Sequence, residues 1–228
     1  MLVSAIIVAA GKGERIKTPV PKQFLDVDGI PIISFSLSYL ENAEIVDEII
    51  IVTLLEWMDY VKKIVLNGKF GKVSEIIEGG ERRQDSFKTG LAIAKGGIII
   101  DHDAARPFPG VLNIDEMVEK CREIGAIIPV IPVNDTVKYV GEGKVRKTID
   151  RRGLFCVQTP QVFRRELCER AYKMAEEDGF YGSDTASLLE NSGIPVFTTR
   201  GSVFNIKITT EDDLVLVRAI NRRYSNHR

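Results

Sequence analysis

Short, continuous apolar runs alternate along this chain with segments whose apolar residues recur at helical spacing. The strand-like runs span residues 2–8, 48–52, 73–77, 97–100, 126–130 and 196–199. The helix-like segments span residues 31–40, 56–66, 84–94, 114–124, 164–175, 184–190 and 211–222. Such alternation predicts an α/β fold, with a mostly parallel sheet covered by helices on both faces. Apolar strands without polar alternation are typical of strands buried on both sides.

Composition excludes several classes of protein. The chain has 228 residues, of which 44% are hydrophobic, and this is too apolar for a disordered protein. A core of one domain spanning residues 1–228 is therefore expected. No apolar run approaches the ~20 residues of a membrane helix. The apolar stretch at residues 2–10 lacks a preceding basic region, so we interpret it as a strand rather than a signal peptide.

Charge and cysteine content indicate the surroundings of the protein. The formal net charge is -1, so no global basic field favours nucleic acid. We therefore expect neither a nucleic-acid partner nor a membrane partner. The three cysteines, an odd number without close pairing, argue against a disulfide framework or a zinc site. Unpaired thiols favour a cytoplasmic location.

Three loops follow predicted strands and are the candidate functional loops. They span residues 9–22, 79–86 and 101–106. In open α/β sheets, ligands bind beyond the carboxyl ends of the strands. We therefore expect these loops to meet around one ligand.

The first loop combines small residues with cations. Gly11 and Gly13 allow close approach of the backbone to a ligand, and Lys12, Arg15 and Lys22 add cationic donors. The sequence lacks the third glycine of a dinucleotide fingerprint and the Gly-Lys-Ser/Thr of a P-loop. The loop alone indicates an anion or nucleotide site. A plain strand-to-helix turn with solvated lysines is the alternative.

The other two loops carry weaker signals. Gly79 and Gly80, followed by polar residues entering a helix, suit contact with a base or ribose, although a helix cap explains them equally well. Asp103 lies at a strand end before Arg106, an arrangement that suits Mg²⁺ held near phosphates, because Mg²⁺ commonly takes one or two carboxylates plus substrate phosphates. An ordinary cap is the alternative for Asp103. Lys207 precedes the acidic first turn of a helix, and we expect it on a strand end facing the same crevice.

One segment interrupts the alternation of strands and helices. Residues 135–150 contain two β-prone runs around Gly141-Glu142-Gly143, which predicts a hairpin. An isolated hairpin is marginally stable in water, so it must pack on something. We interpret residues 133–159 as a projecting β-arm for dimerisation. A hairpin folded back on its own sheet is the alternative, and the cations around Arg151 could equally form a solvated face.

Taken together, these motifs closely resemble those of the 2-C-methyl-D-erythritol 4-phosphate cytidylyltransferase family. The matching motifs run in order from residue 5 to about 213. They are Ala9-Ala10-Gly11-x-Gly13-x-Arg15, Pro21-Lys22-Gln23, Gly79-Gly80-x-x-Arg83-x-Asp85-Ser86, His102-Asp103-Ala104-Ala105-Arg106-Pro107, Asp135-Thr136, Asp150-Arg151, Thr159-Pro160-Gln161, Thr185-Ala186 and Asn205-Ile206-Lys207.

The resemblance implies a Rossmann-like fold of nucleotidyltransferase type. It also implies transfer of CMP from CTP to methylerythritol phosphate in non-mevalonate isoprenoid synthesis, with Mg²⁺ or another divalent cation as cofactor, by a homodimer with interlocked arms. The residues implied to be catalytic are Arg15, Lys22 and Lys207. Those implied to bind CTP are Ala9, Ala10, Gly11, Gly13, Gly80, Glu81 and Ser86. Those implied to bind the polyol phosphate are Asp103, Arg106, Thr136, Arg151 and Thr159, with Asp103 also contacting the metal and Arg151 reaching across from the partner subunit.

The expected chemistry requires charge stabilisation more than proton transfer. A phosphate monoester is already anionic near neutral pH, so catalysis is positioning and electrostatics. We therefore reject His102 as a catalytic base. Arg83 and Asp85 are expected to shape their loop, and Glu81 stands where many relatives have Asp.

Two alternatives to this function remain. Ribitol-5-phosphate cytidylyltransferase shares much of the pattern. A nucleotide-binding regulator without turnover is the other, although three cations around one phosphorus argue against it.

Overall fold

The computed structural model describes residues 1–11, 13 and 18–225 of the chain. Twelve strands and seven α-helices lie within this part of the chain. The strands are β1 (Val3–Ala9), β2 (Asp26–Val27), β3 (Ile30–Pro31), β4 (Glu48–Thr53), β5 (Val73–Glu78), β6 (Ile98–Asp103), β7 (Ala126–Pro132), β8 (Val137–Gly141), β9 (Lys144–Ile149), β10 (Phe155–Val157), β11 (Gln161–Arg164) and β12 (Phe197–Arg200). The helices are α1 (Ile32–Asn42), α2 (Met58–Gly68), α3 (Arg83–Ile93), α4 (Ile114–Ile124), α5 (Arg165–Asp178), α6 (Thr185–Asn191) and α7 (Glu211–Ser225).

Eight strands form the main sheet. Seven of them follow the order β10-β7-β11-β6-β1-β4-β5, and β12 pairs with β7. The central strands β6, β1, β4 and β5 run parallel, as do β7 and β12. Strands β10 and β11 run antiparallel to their neighbours. The sheet is therefore mostly parallel, as the alternation of elements predicts.

Neighbouring residues on the central strands bury themselves on opposite faces of the sheet. Ile7 of β1 and Ile51 of β4 pack in a core that includes residues of α1, α2 and α4. Ile6 of β1 and Ile50 of β4 pack in a second core that includes residues of α3, α5 and α6. Because successive side chains of a strand point to opposite faces, the continuous apolar runs supply both cores at once. The fold is an α/β layer structure with helices on both faces.

The first helix and the last one pack together with the small hairpin of β2 and β3. Val27 and Ile32 form a third apolar cluster with Phe108, Ile208 and Val217. This cluster attaches α7 near the end of β6, so the segment that carries Lys207 lies over the carboxyl edge of the sheet. Backbone pairing supports the same placement, since the Ile208 N–H donates to the Ala105 carbonyl at 2.9 Å.

The predicted hairpin exists and stands apart from the main sheet. Strands β8 and β9 pair with each other in a separate two-stranded sheet. The predicted arm of residues 133–159 is longer than this hairpin, because β10 pairs with β7 in the main sheet. The hairpin adds no strand to the main sheet, and its role as a dimerisation arm stays a prediction.

Three details of the predicted elements need correction. Strands β10 and β11 are missed, since runs of three and four residues show no periodicity. Asp101, His102 and Asp103 belong to β6 and not to the loop after it. Lys207 lies in an irregular segment before α7 rather than on a strand. No helix among the described residues is long and apolar enough to cross a membrane.

Candidate active site

The candidate loops meet at one edge of the sheet. Register pairs Val8 of β1 with both Val52 of β4 and Asp103 of β6, and Thr53 of β4 with Glu78 of β5. The parallel strands therefore end side by side, and the segments that follow them share one edge. This confirms that the first two loops and the end of β6 converge.

The first loop is held at its base by Gln23. The buried Gln23 amide donates to the carbonyls of Ala9 at 2.5 Å and Gly11 at 3.0 Å. Gly13 has a φ of +69°, and a Cβ placed on it would lie 3.5 Å from the Lys22 backbone nitrogen. Gly13 thus lies against Lys22. Arg15, predicted to be catalytic, lies outside the described residues.

The second loop touches the first. A Cβ on Gly79 would lie 2.4 Å from the Ala10 Cβ and 2.8 Å from the Ser86 hydroxyl, so only glycine permits this approach. The structure therefore brings Ala10 and Ser86 together, as expected of a shared nucleotide pocket. The Ser86 hydroxyl lies 3.0 Å from the Arg82 carbonyl, to which it donates. The side chain of Glu81 is exposed. The roles of these residues in binding CTP stay predictions.

Asp85 shapes the start of α3. Its carboxylate accepts from the Arg82 N–H at 3.1 Å and forms one half of a capping box. A Cβ on Gly80 would lie 2.4 Å from the Asp85 Cβ, so the loop closes tightly onto this cap. These contacts agree with the loop-shaping role predicted for Asp85.

An ionic network lies at the end of β6. The Arg83 guanidinium donates through Nη2 and Nη1 to the two carboxylate oxygens of Asp101, at 2.8 and 3.1 Å, and through Nε to Asp103 at 2.8 Å. The Lys207 ammonium donates to the other oxygen of Asp103 at 2.6 Å. Burial opposes the charge on Arg83, but the two carboxylates outweigh it and raise the pKa of the guanidinium. Arg83 therefore does more than shape its loop.

Asp103 is ionised in this network. Burial favours the neutral carboxyl, but the charges of Arg83 and Lys207 hold the pKa of Asp103 well below its usual range. Among the described residues, no three His, Cys, Asp or Glu side chains cluster as a metal site. A single ionised carboxylate still fits Mg²⁺ bound mainly by substrate phosphates. The donor set is thus compatible with the predicted metal contact.

His102 points to the opposite face of β6 and is fully buried. Because the Ser36 hydroxyl donates to the Arg106 carbonyl at 3.0 Å, it accepts from the Nε2–H of His102 at 3.0 Å, which leaves Nδ1 to accept from the Thr159 hydroxyl at 3.1 Å. Burial lowers the pKa of His102 to about 4. Both ring nitrogens are occupied within the core, which supports the rejection of His102 as a catalytic base.

Thr159 and Arg106 have partners within the chain. The Thr159 hydroxyl also accepts the Asp103 N–H at 3.0 Å. Arg106 is buried, and it donates to the backbone carbonyls of Asn205 at 2.7 Å and Val157 at 3.3 Å. These contacts fix the segment that precedes Lys207. Binding of substrate by Thr159 and Arg106 stays a prediction.

A cavity of about 330 Å³ opens beside the ionic network. Five of the residues already described line it, and these are Arg83, Asp103, Arg106, Thr159 and Lys207. Polar side chains from the start of α6 and from β11 complete the wall, among them Asp184 and Gln161. The arrangement can bind an anion with hydroxyl groups, because cations and polar acceptors face one space.

Two predicted residues lie elsewhere. Thr136 and Arg151 flank the β8–β9 hairpin, are exposed and are absent from the cavity wall. Arg151 donates to the Asn134 carbonyl of its own chain. The structure of one chain therefore does not bring them to the other predicted substrate-binding residues.

Sequence reasoning missed Asp101. Its signal was an acidic residue within an otherwise apolar strand, directly before the recognised His102-Asp103 motif. Asp101 is fully buried and accepts from the Thr185 hydroxyl at 2.7 Å as well as from Arg83.

The fold and the site together define an α/β protein of nucleotidyltransferase type. Glycine-rich loops, cations and one ionised carboxylate converge at the carboxyl edge of a mostly parallel sheet. The sequence profile of 2-C-methyl-D-erythritol 4-phosphate cytidylyltransferase matches residues 3–223. The chain belongs to this family.

Individual relatives agree along nearly the whole chain. The 2-C-methyl-D-erythritol 4-phosphate cytidylyltransferase of Syntrophus aciditrophicus is 38% identical over 225 residues, covering 97% of this chain and 96% of the relative. The protein of the same name from Dictyoglomus thermophilum is 39% identical over 224 residues, covering 96% of each chain.

Solved structures agree as well. The 4-diphosphocytidyl-2C-methyl-D-erythritol synthase of Anaerococcus prevotii superposes with a TM-score of 0.83 at 27% identity, covering 97% of this chain and 96% of its own. The 2-C-methyl-D-erythritol 4-phosphate cytidylyltransferase of Thermus thermophilus superposes with a TM-score of 0.78 at 30% identity, covering 97% of this chain and all of its own.

Proposed function

We propose that this chain transfers CMP from CTP to 2-C-methyl-D-erythritol 4-phosphate, in the non-mevalonate route to isoprenoids. The products are 4-diphosphocytidyl-2-C-methyl-D-erythritol and pyrophosphate. Membership of the family supports the reaction. The observation that carries it is the contact between Asp103 and Lys207 at 2.6 Å, on the wall of a cavity that Arg83 of the second loop also lines.

The reaction joins two anions. A phosphate oxygen of methylerythritol phosphate attacks the α-phosphorus of CTP, and the bond to the bridging α–β oxygen breaks to release pyrophosphate. The attacking oxygen carries no proton that must be removed, which agrees with a buried and neutral His102. The enzyme must therefore supply cations and fixed geometry rather than a base.

The chain's cations have distinct roles in this proposal. Lys22, which closes the first loop, and Arg15 would hold the triphosphate and the charge developing at the α-phosphorus. Lys207 would leave part of its contact with Asp103 and face the reacting phosphates. Backbone groups of Ala9, Ala10, Gly11, Gly13 and Gly80, with Glu81 and Ser86, would surround the nucleotide.

Asp103 would hold Mg²⁺ or another divalent cation together with the phosphate oxygens. The metal, when bound, would neutralise charge on the triphosphate. The ionised state of Asp103 supports this part of the proposal. Arg106 and Thr159 would border the polyol phosphate, since both lie on the cavity wall.

We further propose a homodimer formed through the arm. Exposed apolar side chains on the hairpin support it, with Tyr139 59%, Val140 55% and Val145 61% exposed. A two-fold dimer would bury these side chains on an equivalent surface of the partner. Thr136 and Arg151 would then reach the partner's cavity.

A cytoplasmic location belongs to the same proposal, and the exposed free thiol of Cys156 supports a reducing compartment.

A substrate panel tests the reaction. Pyrophosphate release should require CTP and methylerythritol phosphate, with ribitol 5-phosphate as the matched alternative acceptor. UTP should be poor, because it lacks the exocyclic amine of cytosine and would leave acceptors in the two loops unpaired at about 1–3 kcal/mol per buried group. Faster turnover with ribitol 5-phosphate would reassign the acceptor. Binding of CTP without turnover of any acceptor would indicate a regulator.

A further inference from the structure

A carboxylate lies in the centre of the apolar sheet. Asp101 is fully buried on β6, where register places it between Ile6 of β1 and Gln161 of β11. Asp101 and Asp103 are two residues apart on one strand, so both face the same side of the sheet. Burying a charge on a sheet strand is costly unless it is paired.

The pairing of Asp101 fixes the plane of the Arg83 guanidinium. Both carboxylate oxygens of Asp101 accept from it, in a fork-to-fork arrangement. The Thr185 hydroxyl, at 2.7 Å, holds the carboxylate from a third direction. Arg83 can then turn only its Nε–H toward Asp103.

This orientation decides which oxygen of Asp103 remains for Lys207. The Nε–H of Arg83 occupies one oxygen, Oδ1, and Lys207 binds the other, Oδ2. Without Asp101, the two Nη groups would lose their partners. The guanidinium could then turn and bind both oxygens of Asp103, in competition with Lys207 and with a metal ion.

We propose that Asp101 is a positioning residue that acts through Arg83 to keep one oxygen of Asp103 clear of the guanidinium and bound to Lys207. This proposal deepens the proposed function and rests on it. Stability alone does not require an ion pair at this place, because replacing a whole buried ion pair by apolar residues is often neutral or stabilising. The choice of a carboxylate is explained by the geometry it imposes on Arg83.

A double-mutant cycle tests the proposal. Asp101→Asn should lower kcat about tenfold in the wild-type background, with the KM for CTP changed less than about twofold. In a Lys207→Gln background the same substitution should change kcat less than about twofold, because the oriented partner is already gone. An equal loss of kcat in both backgrounds would overturn the proposal, since a structural defect acts independently of Lys207.

Glu48→Gln is the matched control. Glu48 is another buried carboxylate with hydrogen bonds to Ser4 and to the Lys95 backbone, and it lies at the opposite end of β4 from the site. This variant should leave kcat unchanged while lowering stability. A loss of kcat equal to that of Asp101→Asn would also overturn the proposal.

Two milder variants keep the test decisive if Asp101→Asn does not fold. Arg83→Lys keeps the charge but cannot span both carboxylates, and it should reproduce the loss of kcat. Thr185→Val removes one hydrogen bond to Asp101 and should cause a smaller loss that also disappears in the Lys207→Gln background. Wild-type activity in these variants would contradict the proposal.

Crystal structures separate this proposal from the proposed function. If the wild-type protein turns over no acceptor, the proposed function fails, and positioning is then judged from coordinates. The structure of Asp101→Asn should show the Arg83 guanidinium turned onto both oxygens of Asp103 and Lys207 displaced from it. An unchanged contact between Lys207 and Asp103 would refute positioning whether or not the protein is active.

Discussion

The two halves of the candidate site differ in what a single chain supplies. At the end of β6, Asp103 is held by the Arg83 and Lys207 side chains and by the Thr159 hydroxyl, all within one chain. On the arm, Arg151 and Thr136 are exposed and are absent from the cavity wall. Strands β8 and β9 pair only with each other among the described strands.

The two halves of the site are organised by different parts of the molecule. Buried strands of the sheet fix the first half, because close-packed cores leave side chains little freedom. The hairpin cannot stabilise itself, since isolated hairpins are marginal in water. The second half therefore needs another surface, and the proposed homodimer supplies one.

The largest effect is expected from Lys22→Ala. If the first half is preorganised for the transition state, loss of this cation should lower kcat by about 10²–10³-fold. Steady-state kinetics with CTP checks it, and Lys173→Ala on the exposed face of α5 is the control. A change in KM alone would mean that Lys22 binds substrate and transition state equally.

His102 offers a test of the core that does not depend on substrate. Its pKa is lowered from 6.5 to about 4, so between these values the unfolded chain takes up a proton that the folded chain refuses. Stability from this group is complete above pH 6.5 and should fall by about 3 kcal/mol as the pH drops to 4.

Urea unfolding at several pH values measures this dependence. The wild-type protein and His102→Gln contain the same carboxyl groups, so the difference between their slopes from pH 6.5 to 4 reports the loss of the imidazole. Parallel pH profiles would show that His102 is protonated as readily in the folded protein as in the unfolded one.

Charges on the arm should break the dimer. Val140 and Val145 face each other across the hairpin, and Val140→Asp with Val145→Asp would place two like charges on the proposed interface. Sedimentation velocity should show a monomer for this variant and a dimer for the wild-type protein. Leu66→Asp is the control, because Leu66 is 77% exposed and lies outside the arm. A wild-type monomer would remove the arm interface from the proposal.

Mixing two inactive variants sharpens the comparison between the halves. Arg151→Ala removes a side chain of the arm, and Lys22→Ala removes a side chain of the first loop at the sheet edge. If Arg151 acts in the partner's site, a mixed dimer has one intact site, and equal mixing should restore about a quarter of wild-type activity. If Arg151 acts within its own chain, each site keeps a lesion and activity stays low. Mass spectrometry must first confirm that subunits have exchanged.

Much of the first half could be predicted from the sequence. Apolar runs such as β1 and β4 determine the parallel sheet, and parallel strands place the loops of Gly11 and Gly79 at one edge. The ionic network could not be predicted, because the pairing of Arg83 with Asp101 depends on where α3 begins relative to β6. Arg106 was expected to bind substrate, yet its hydrogen bonds go to backbone carbonyls. A local sequence pattern shows that a side chain is charged, but not which group it pairs with in the folded chain.

The smallest effect is expected from Glu81, which borders the preorganised half. Its side chain is exposed, while the adjacent Gly80 is packed against the Asp85 side chain. If the loop binds the nucleoside through its backbone, Glu81→Ala and Glu81→Asp should both change the Kd for CTP by less than about twofold, as is usual for exposed positions. Ser86→Ala is the informative comparison, because it removes a buried hydroxyl beside Gly79 and Ala10 and should weaken CTP binding more. Isothermal titration calorimetry with CTP alone measures both effects. A tenfold loss for Glu81→Ala that Glu81→Asp does not share would mean that the carboxylate itself contacts the nucleoside, and the loop would then resemble the arm in depending on an exposed side chain.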